Sequence, residues 1–246
     1  MKCFFIIITL FFCGYSNGNQ VTKPVIRAAV AEEFRNGLHS KYLQYFADKL
    51  NVKIEISTMP FARRLLQIKN GQLDLIVGIQ KTEDRQDEFI YIFPHYELLS
   101  HRIFTLKNNR HLIQKYQDLS GKVIGVNRNS KYFMPFDNNE SIVKFKARGV
   151  LQNIELLKRN RIDAFMHYEE STAPLLDELD LSDEVVKSVY QPNIEIRHYI
   201  AISKSSALNS RLGELEKIVE NAVKNKDFLN IRLNHYAQMN IKSIVQ

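Results

Sequence analysis

The sequence predicts an α/β fold in two similar halves, and three observations predict it. Residues 25–78 read as β-α-β-α-β, with helical and extended hydrophobic patterns alternating. A second unit of the same plan, a helix leading through an aspartate into an apolar strand, recurs near residues 149–166. Between them the polar stretch Asn108-Asn109-Arg110 breaks the pattern, and a new strand starts after Gly121-Lys122. A chain of 246 residues has room for two such halves.

The elements follow in order. Val25–Val30 is a first strand, and 31–37 the loop after it. Leu38–Leu50 carries apolar residues at 38, 42, 43, 46, 47 and 50, the stripe of a helix packed on one side. Val52-Lys53-Ile54-Glu55-Ile56 alternates, as a half-exposed strand does. A helix over 62–70 ends at Gly71, where a left-handed backbone costs nothing. Asp74-Leu75-Ile76-Val77-Gly78 is a buried strand, and Ser100–Leu106 an extended segment leaving the first half. In the second half, strands are expected at 123–126, 141–145, 161–166 and 185–190, and helices over 149–160 and 173–179. Residues 195–202 run back to the first half. Helices over 208–225 and 228–236 complete the chain.

Composition narrows the classes. Hydrophobic content of 45% and charge of 25% are those of an ordinary globular protein. The net charge is +7, about +6 without Lys2, but no dense Lys/Arg run occurs and no nucleic-acid motif is present. The opening Met1-Lys2-Cys3, the apolar run to Phe12, and the small polar residues to Gly18 read as a secretory signal peptide cleaved after Gly18 or Ser16. Both cysteines, Cys3 and Cys13, fall within it. A mature chain then has no disulfide, thiolate nucleophile or cysteine metal site. His95 and His101 are too isolated to read as metal ligands, and no HExxH, GxSxG or phosphate-binding loop occurs. No cofactor is implied.

Candidate binding residues gather where strands end. Gly78 closes a strand, and the loop after it offers the Thr82 hydroxyl and the forked donors of Arg85, a pairing suited to a carboxylate. Two simpler roles remain open: Arg85 as a surface partner of Asp84 or Glu88, and Thr82 as a helix cap. Arg63 is taken to point towards the ligand edge, with Arg64 as its solvated neighbour. Phe61 stacks on a ligand or joins the core. Ser130 and Lys131 stand on the equivalent loop of the second half. His167, Tyr168 and Glu169 combine a base, a phenol and a carboxylate. Adjacent strand residues alternate faces, so they cannot all converge, and no catalytic residue is assigned.

Pro60-Phe61-Ala62-Arg63, Gly71-Gln72-Leu73-Asp74, Gly78, Thr82-Glu83-Asp84-Arg85 and Phe93-Pro94-His95-Tyr96 stand in an order that resembles the periplasmic solute-binding proteins of bacterial family 3, the polar amino-acid binders of ABC importers. Asp118-Leu119-Ser120-Gly121-Lys122 resembles that family's entry to its second lobe. The resemblance implies a type 2 periplasmic-binding fold with lobe 1 at 19–104 plus 199–246, lobe 2 at 105–198, and crossings near 102–108 and 192–198. It implies capture of a small polar, carboxylate-bearing solute by hinge closure, in a periplasmic monomer that serves a membrane permease. It favours Arg85, Thr82, Arg63, Phe61, Gly78, Ser130 and Lys131 as ligand contacts. Two departures matter. Only Phe34 stands in the shortened first loop as a stacking aromatic. Tyr168 occupies the position where the family places an aspartate for the ligand's ammonium, with Glu169 as a substitute one residue on. Two other functions fit the same fold: a dehydratase-like enzyme with Glu169 or Glu32 as general acid, and a ligand-delivery protein for a membrane sensor.

Overall fold

The computed structural model describes residues 23–31 and 37–245, with side chains through residue 238. The signal peptide, Glu32 and Phe34 lie outside the described residues.

In chain order the elements are β1 (Val25–Val30), α1 (Leu38–Leu50), β2 (Lys53–Thr58), α2 (Phe61–Lys69), β3 (Leu75–Gln80), β4 (Ile90–Leu106), β5 (Val123–Asn127), α3 (Met134–Asp137), β6 (Val143–Ala147), α4 (Val150–Lys158), β7 (Ala164–Tyr168), α5 (Glu169–Glu178), β8 (Val185–Lys187), β9 (Glu195–Ile202), α6 (Leu212–Lys224) and α7 (Asp227–Val245). The strands run in the order β2-β1-β3-β9-β4-β7-β5-β6, with β8 beside β4. Each half is the other's counterpart. In the first, β1 lies parallel between β2 and β3; in the second, β5 lies parallel between β6 and β7. Antiparallel β9 and β4 fill the middle.

β4 is the hinge-crossing element. It pairs with β9 through Ser100 and with β7 from His101 onward, so one strand of 17 residues serves both halves. Its ladder with β9 shifts register between Ile92 and Glu97, around the cis Phe93–Pro94 peptide. Each half buries two apolar layers, one per sheet face. Tyr42, Phe46, Leu215 and Val219 pack on one face of the first half, and Leu65, Ile68 and Phe89 on the other. In the second half Phe136 and Met166 oppose Ile154, Leu157 and Phe165.

The repeated aspartate has a shared structural task. Asp74 accepts the backbone N–H of Arg27 in β1 at 2.9 Å, and Asp163 accepts that of Val123 in β5 at 2.7 Å. In both pairs the aspartate's own N–H returns a bond at 2.8 Å to the same residue's carbonyl. Each carboxylate thus fastens the start of the central parallel strand. Asp74 has further partners, the Arg27 guanidinium and the Ser206 hydroxyl. Asp163→Ala leaves the Val123 N–H without its acceptor and lowers the unfolding free energy by about 1–3 kcal/mol. Urea denaturation measures this; a change below about 0.5 kcal/mol, the range of an ordinary surface substitution, refutes the role.

Several bounds differ from the sequence expectation. The strand expected at 161–166 lies at Ala164–Tyr168, because Asp163 is spent on Val123 and pairing with β5 begins at Ala164. The strand expected at 141–145 lies at Val143–Ala147, in register with Val123–Asn127. The strand expected at 185–190 ends at Lys187, because the Ser188 side chain turns back to the Tyr190 carbonyl. The helix expected over 173–179 starts at Glu169 and carries Pro174 inside it. The helix expected over 208–225 divides into a 3-10 turn and α6, and the last helix runs on to Val245.

Candidate functional site

Two loops meet where the halves face each other. The first follows β3 and folds into a turn in which Arg85 N–H donates to the Thr82 carbonyl at 3.2 Å. The second follows β5 and turns through Asn129, whose φ of 63° is left-handed, a conformation that asparagine tolerates. Ser130 N–H closes this turn on the Asn127 carbonyl at 3.0 Å.

Arg85 joins the two. It is 6% exposed, and its Nη2 donates to the Asn129 carbonyl at 2.9 Å. Beside it, Lys131 Nζ lies 2.9 Å from Asp84 Oδ2, and the Thr82 hydroxyl donates to Asp84 Oδ1. The Thr82 hydrogen bond and then Lys131 hold the Asp84 carboxyl down at about 2. The Lys131–Asp84 pair is solvent-accessible on both sides and contributes at most about 1 kcal/mol. The Arg85 bond, made out of water, is the firmer link between the loops. The sequence motif leaves Arg85 two roles, ligand clamp or partner of Asp84 or Glu88. In the structure Asp84 pairs with Lys131, and Glu88 pairs with Lys69.

The other candidates are placed as follows. Gly78 has φ 75°, and a Cβ there would sit 2.5 Å from the His39 ring, so this glycine makes room for the start of α1. The expected exposures of the two arginines are reversed. Arg63 is exposed, whereas Arg64 is 7% exposed with its guanidinium 5.1 Å from the centre of the Phe61 ring. The helix stripe explains this, since Arg64 is in phase with Ile68 and faces the buried side. Phe61 packs against the core layer of Leu65 and Ile68. The Ser130 hydroxyl bonds to the Tyr132 phenol, which also accepts the Asn127 N–H at 2.8 Å. Thr82, Ser130 and Lys131 therefore make bonds within and between the loops.

Tyr168 ends β7. Its ring stacks on His101 at 4.3 Å between centres, and its hydroxyl lies 2.9 Å from His198 Nε2. Tyr132 flanks the same His101 at 4.6 Å. Burial raises the Tyr168 phenol's pKa, and the charge of Arg85 reaches it and works the other way. Glu169 turns to a different set of partners. It pairs with Arg102 at 3.0 Å and with Lys187. Burial pushes its carboxyl up, but Lys187 and then Arg102 outweigh that and leave it below the usual range. His167 bonds to the Thr172 hydroxyl at 2.8 Å. The separation expected of three successive residues is thus seen in three separate partner sets.

Three of these participants escape the motif reading: the Asn129 carbonyl, His101 and His198. A signal for the histidines is present. His101 lies in phase with Leu99 and Ile103, and His198 with Ile196 and Ile200, so strand alternation puts both rings inside. Nothing in the sequence marks a backbone carbonyl as an acceptor.

Among the described residues no group of three metal-ligating side chains forms, and no helix is long and apolar enough to cross a membrane. The fold has many solved counterparts. An amino-acid ABC transporter substrate-binding protein, AbpA, from Streptococcus pneumoniae, bound to L-arginine, superposes with a TM-score of 0.77 at 18% identity, covering 88% of this chain and 96% of that one. An arginine-specific periplasmic binding protein of Salmonella typhimurium gives 0.73 at 14% identity, over 87% and 99%. The ligand-binding core of GluR0 from Nostoc punctiforme, with L-glutamate, gives 0.69 at 15% identity, over 86% and 98%. At such identities these likenesses establish a two-lobed periplasmic-binding fold. No curated protein matches the sequence. The model of one family spans residues 30–224, most of the chain, and on that match the protein belongs to the bacterial extracellular solute-binding proteins, family 3.

Proposed function

We propose that this protein is a periplasmic monomer that captures a small polar, carboxylate-bearing solute between its two lobes and hands it to the permease of an ABC importer. The observation that carries the reading is the nearly buried Arg85 guanidinium, held between the loops of both halves. A fork of donors there binds a carboxylate in two-pronged fashion and rewards the closed arrangement. Family membership, and a structural counterpart that is an amino-acid binder of an ABC transporter, support the same reading. Beside Arg85, the proposed ligand contacts are Thr82, Phe61, Gly78, Ser130, Lys131 and Tyr168. The buried Arg64 is favoured over the exposed Arg63, and Glu169 is left to its own ion pairs.

The dehydratase-like alternative is not favoured. Glu169 is held below the usual carboxylate range by Lys187 and Arg102, the opposite of what a general acid requires. A thermal-shift screen of amino, carboxylic and peptide-like solutes tests the capture reading. A binder at 100 times its dissociation constant adds about 2.7 kcal/mol of stability. The expected result is a saturable shift from at least one carboxylate; no shift from any of them overturns the reading.

A further inference from the structure

The charges around the interlobe loops do not balance for a zwitterion. Asp84 is taken up by Lys131. Glu169 is taken up by Arg102 and Lys187. Glu170 lies in the fields of Arg232 and Arg102, and Glu97 is paired with Arg232 at 3.3 Å. Each of these carboxylates already has a cation, whereas among the described residues Arg85 donates only to a neutral carbonyl. Beside Arg85 stand uncharged groups: the Tyr168 phenol, Tyr132, and the His101 and His198 rings, 2% and 1% exposed. His101 Nδ1 and His198 Nδ1 are buried with no partner. The surroundings of Arg85 therefore hold one surplus positive charge and a wall of neutral hydrogen-bonding rings.

From this we infer that the cleft selects carboxylates that lack an ammonium group — oxo, hydroxy, aromatic or plain acids — over the α-amino acids of the same carbon skeleton. The inference rests on the capture reading given above and sharpens it. The carboxylate pairs with Arg85. The rest of the ligand meets Tyr168 and the histidines, which give and accept hydrogen bonds but carry no charge. An ammonium brought into the same space loses its water, finds no unpaired carboxylate, and lies near a guanidinium of like sign. This preference is opposite to that of the arginine-bound and glutamate-bound structural counterparts.

Matched probes test the preference in titration calorimetry on the purified protein: 3-phenylpropionate against L-phenylalanine, glutarate against L-glutamate, and glutaramate against L-glutamine. The expected result is that, in each pair that binds, the acid without the ammonium is at least about 10-fold tighter, the scale of one lost charge-assisted bond. Tyr168→Asp supplies the missing charge and reverses the order. Tyr168→Phe, which adds no charge and keeps the ring, preserves it. Tighter binding of the amino acids to the native protein overturns this inference and leaves solute capture standing. Binding of no carboxylate at all overturns both. If Tyr168→Asp fails to fold, the order of affinities in the native protein and in Tyr168→Phe still separates these outcomes.

Discussion

Arg85→Met lowers affinity for a carboxylate solute by about 10- to 150-fold, the loss expected when a charge-assisted bond worth about 1.5–3 kcal/mol is removed. The guanidinium is buried and already oriented by Asn129, so little conformational freedom remains to be lost on binding. Arg85→Lys keeps the charge but not the planar fork, and recovers only part of the loss. Calorimetric titration with whichever carboxylate gives the strongest thermal shift measures both variants. Equal affinity in Arg85→Met and the native protein removes Arg85 from the site. The substitution also cuts the firmest link between the two loops, so small-angle scattering of the ligand-free variant should show a larger radius of gyration.

Mild acid destabilises this protein more steeply than its carboxylates would. Burial depresses His167 to about 4 and His198 to about 3, and holds His101 well below its ordinary value. His39 lies at about 3 through burial and then the Arg64 charge, but its side chain is less enclosed. The unfolded chain takes up these protons near pH 6.5 while the folded chain refuses them, so stability falls as pH drops through 6.5 towards 4. Each enclosed histidine costs about 2 kcal/mol at pH 5, and the three together about 4–6 kcal/mol. Glu97 and Glu170, whose pKa values burial raises, have the opposite sign and soften the fall at its acidic end. Urea midpoints between pH 8 and pH 5 read this directly. A flat profile down to pH 5 shows that the histidines are not held neutral in the folded state.

Much of the scaffold is legible in the sequence because it follows period and punctuation. The ranges expected for β1, α1 and β9 agree with those observed, since each is a clean alternation or stripe bounded by polar residues. The second half is less legible. Asp163 reads as part of a strand, though it is the anchor just before one. Pro174 reads as part of a helix start, yet α5 begins earlier with Glu169 and Glu170 in its first turn, where negative charge is favoured. At the site, residue types at a strand end are enough to find the loop that carries Arg85. The choice between Arg63 and Arg64 depends on helix phase, and the Asn129 carbonyl on a backbone turn that side-chain chemistry does not disclose.

Helix α7 touches α1 and α6 of the first half and α5 of the second. Its Arg232 reaches Glu97 on the shared strand β4, and Lys41 of α1 reaches Gln238 near its far end. The chain's last helix thus lies across the seam it would have to yield along. Swinging the halves apart must loosen either the grip on α1 and α6 or the grip on α5, so the terminus acts as a brake on the hinge. A label placed on it would report that motion without touching the cargo.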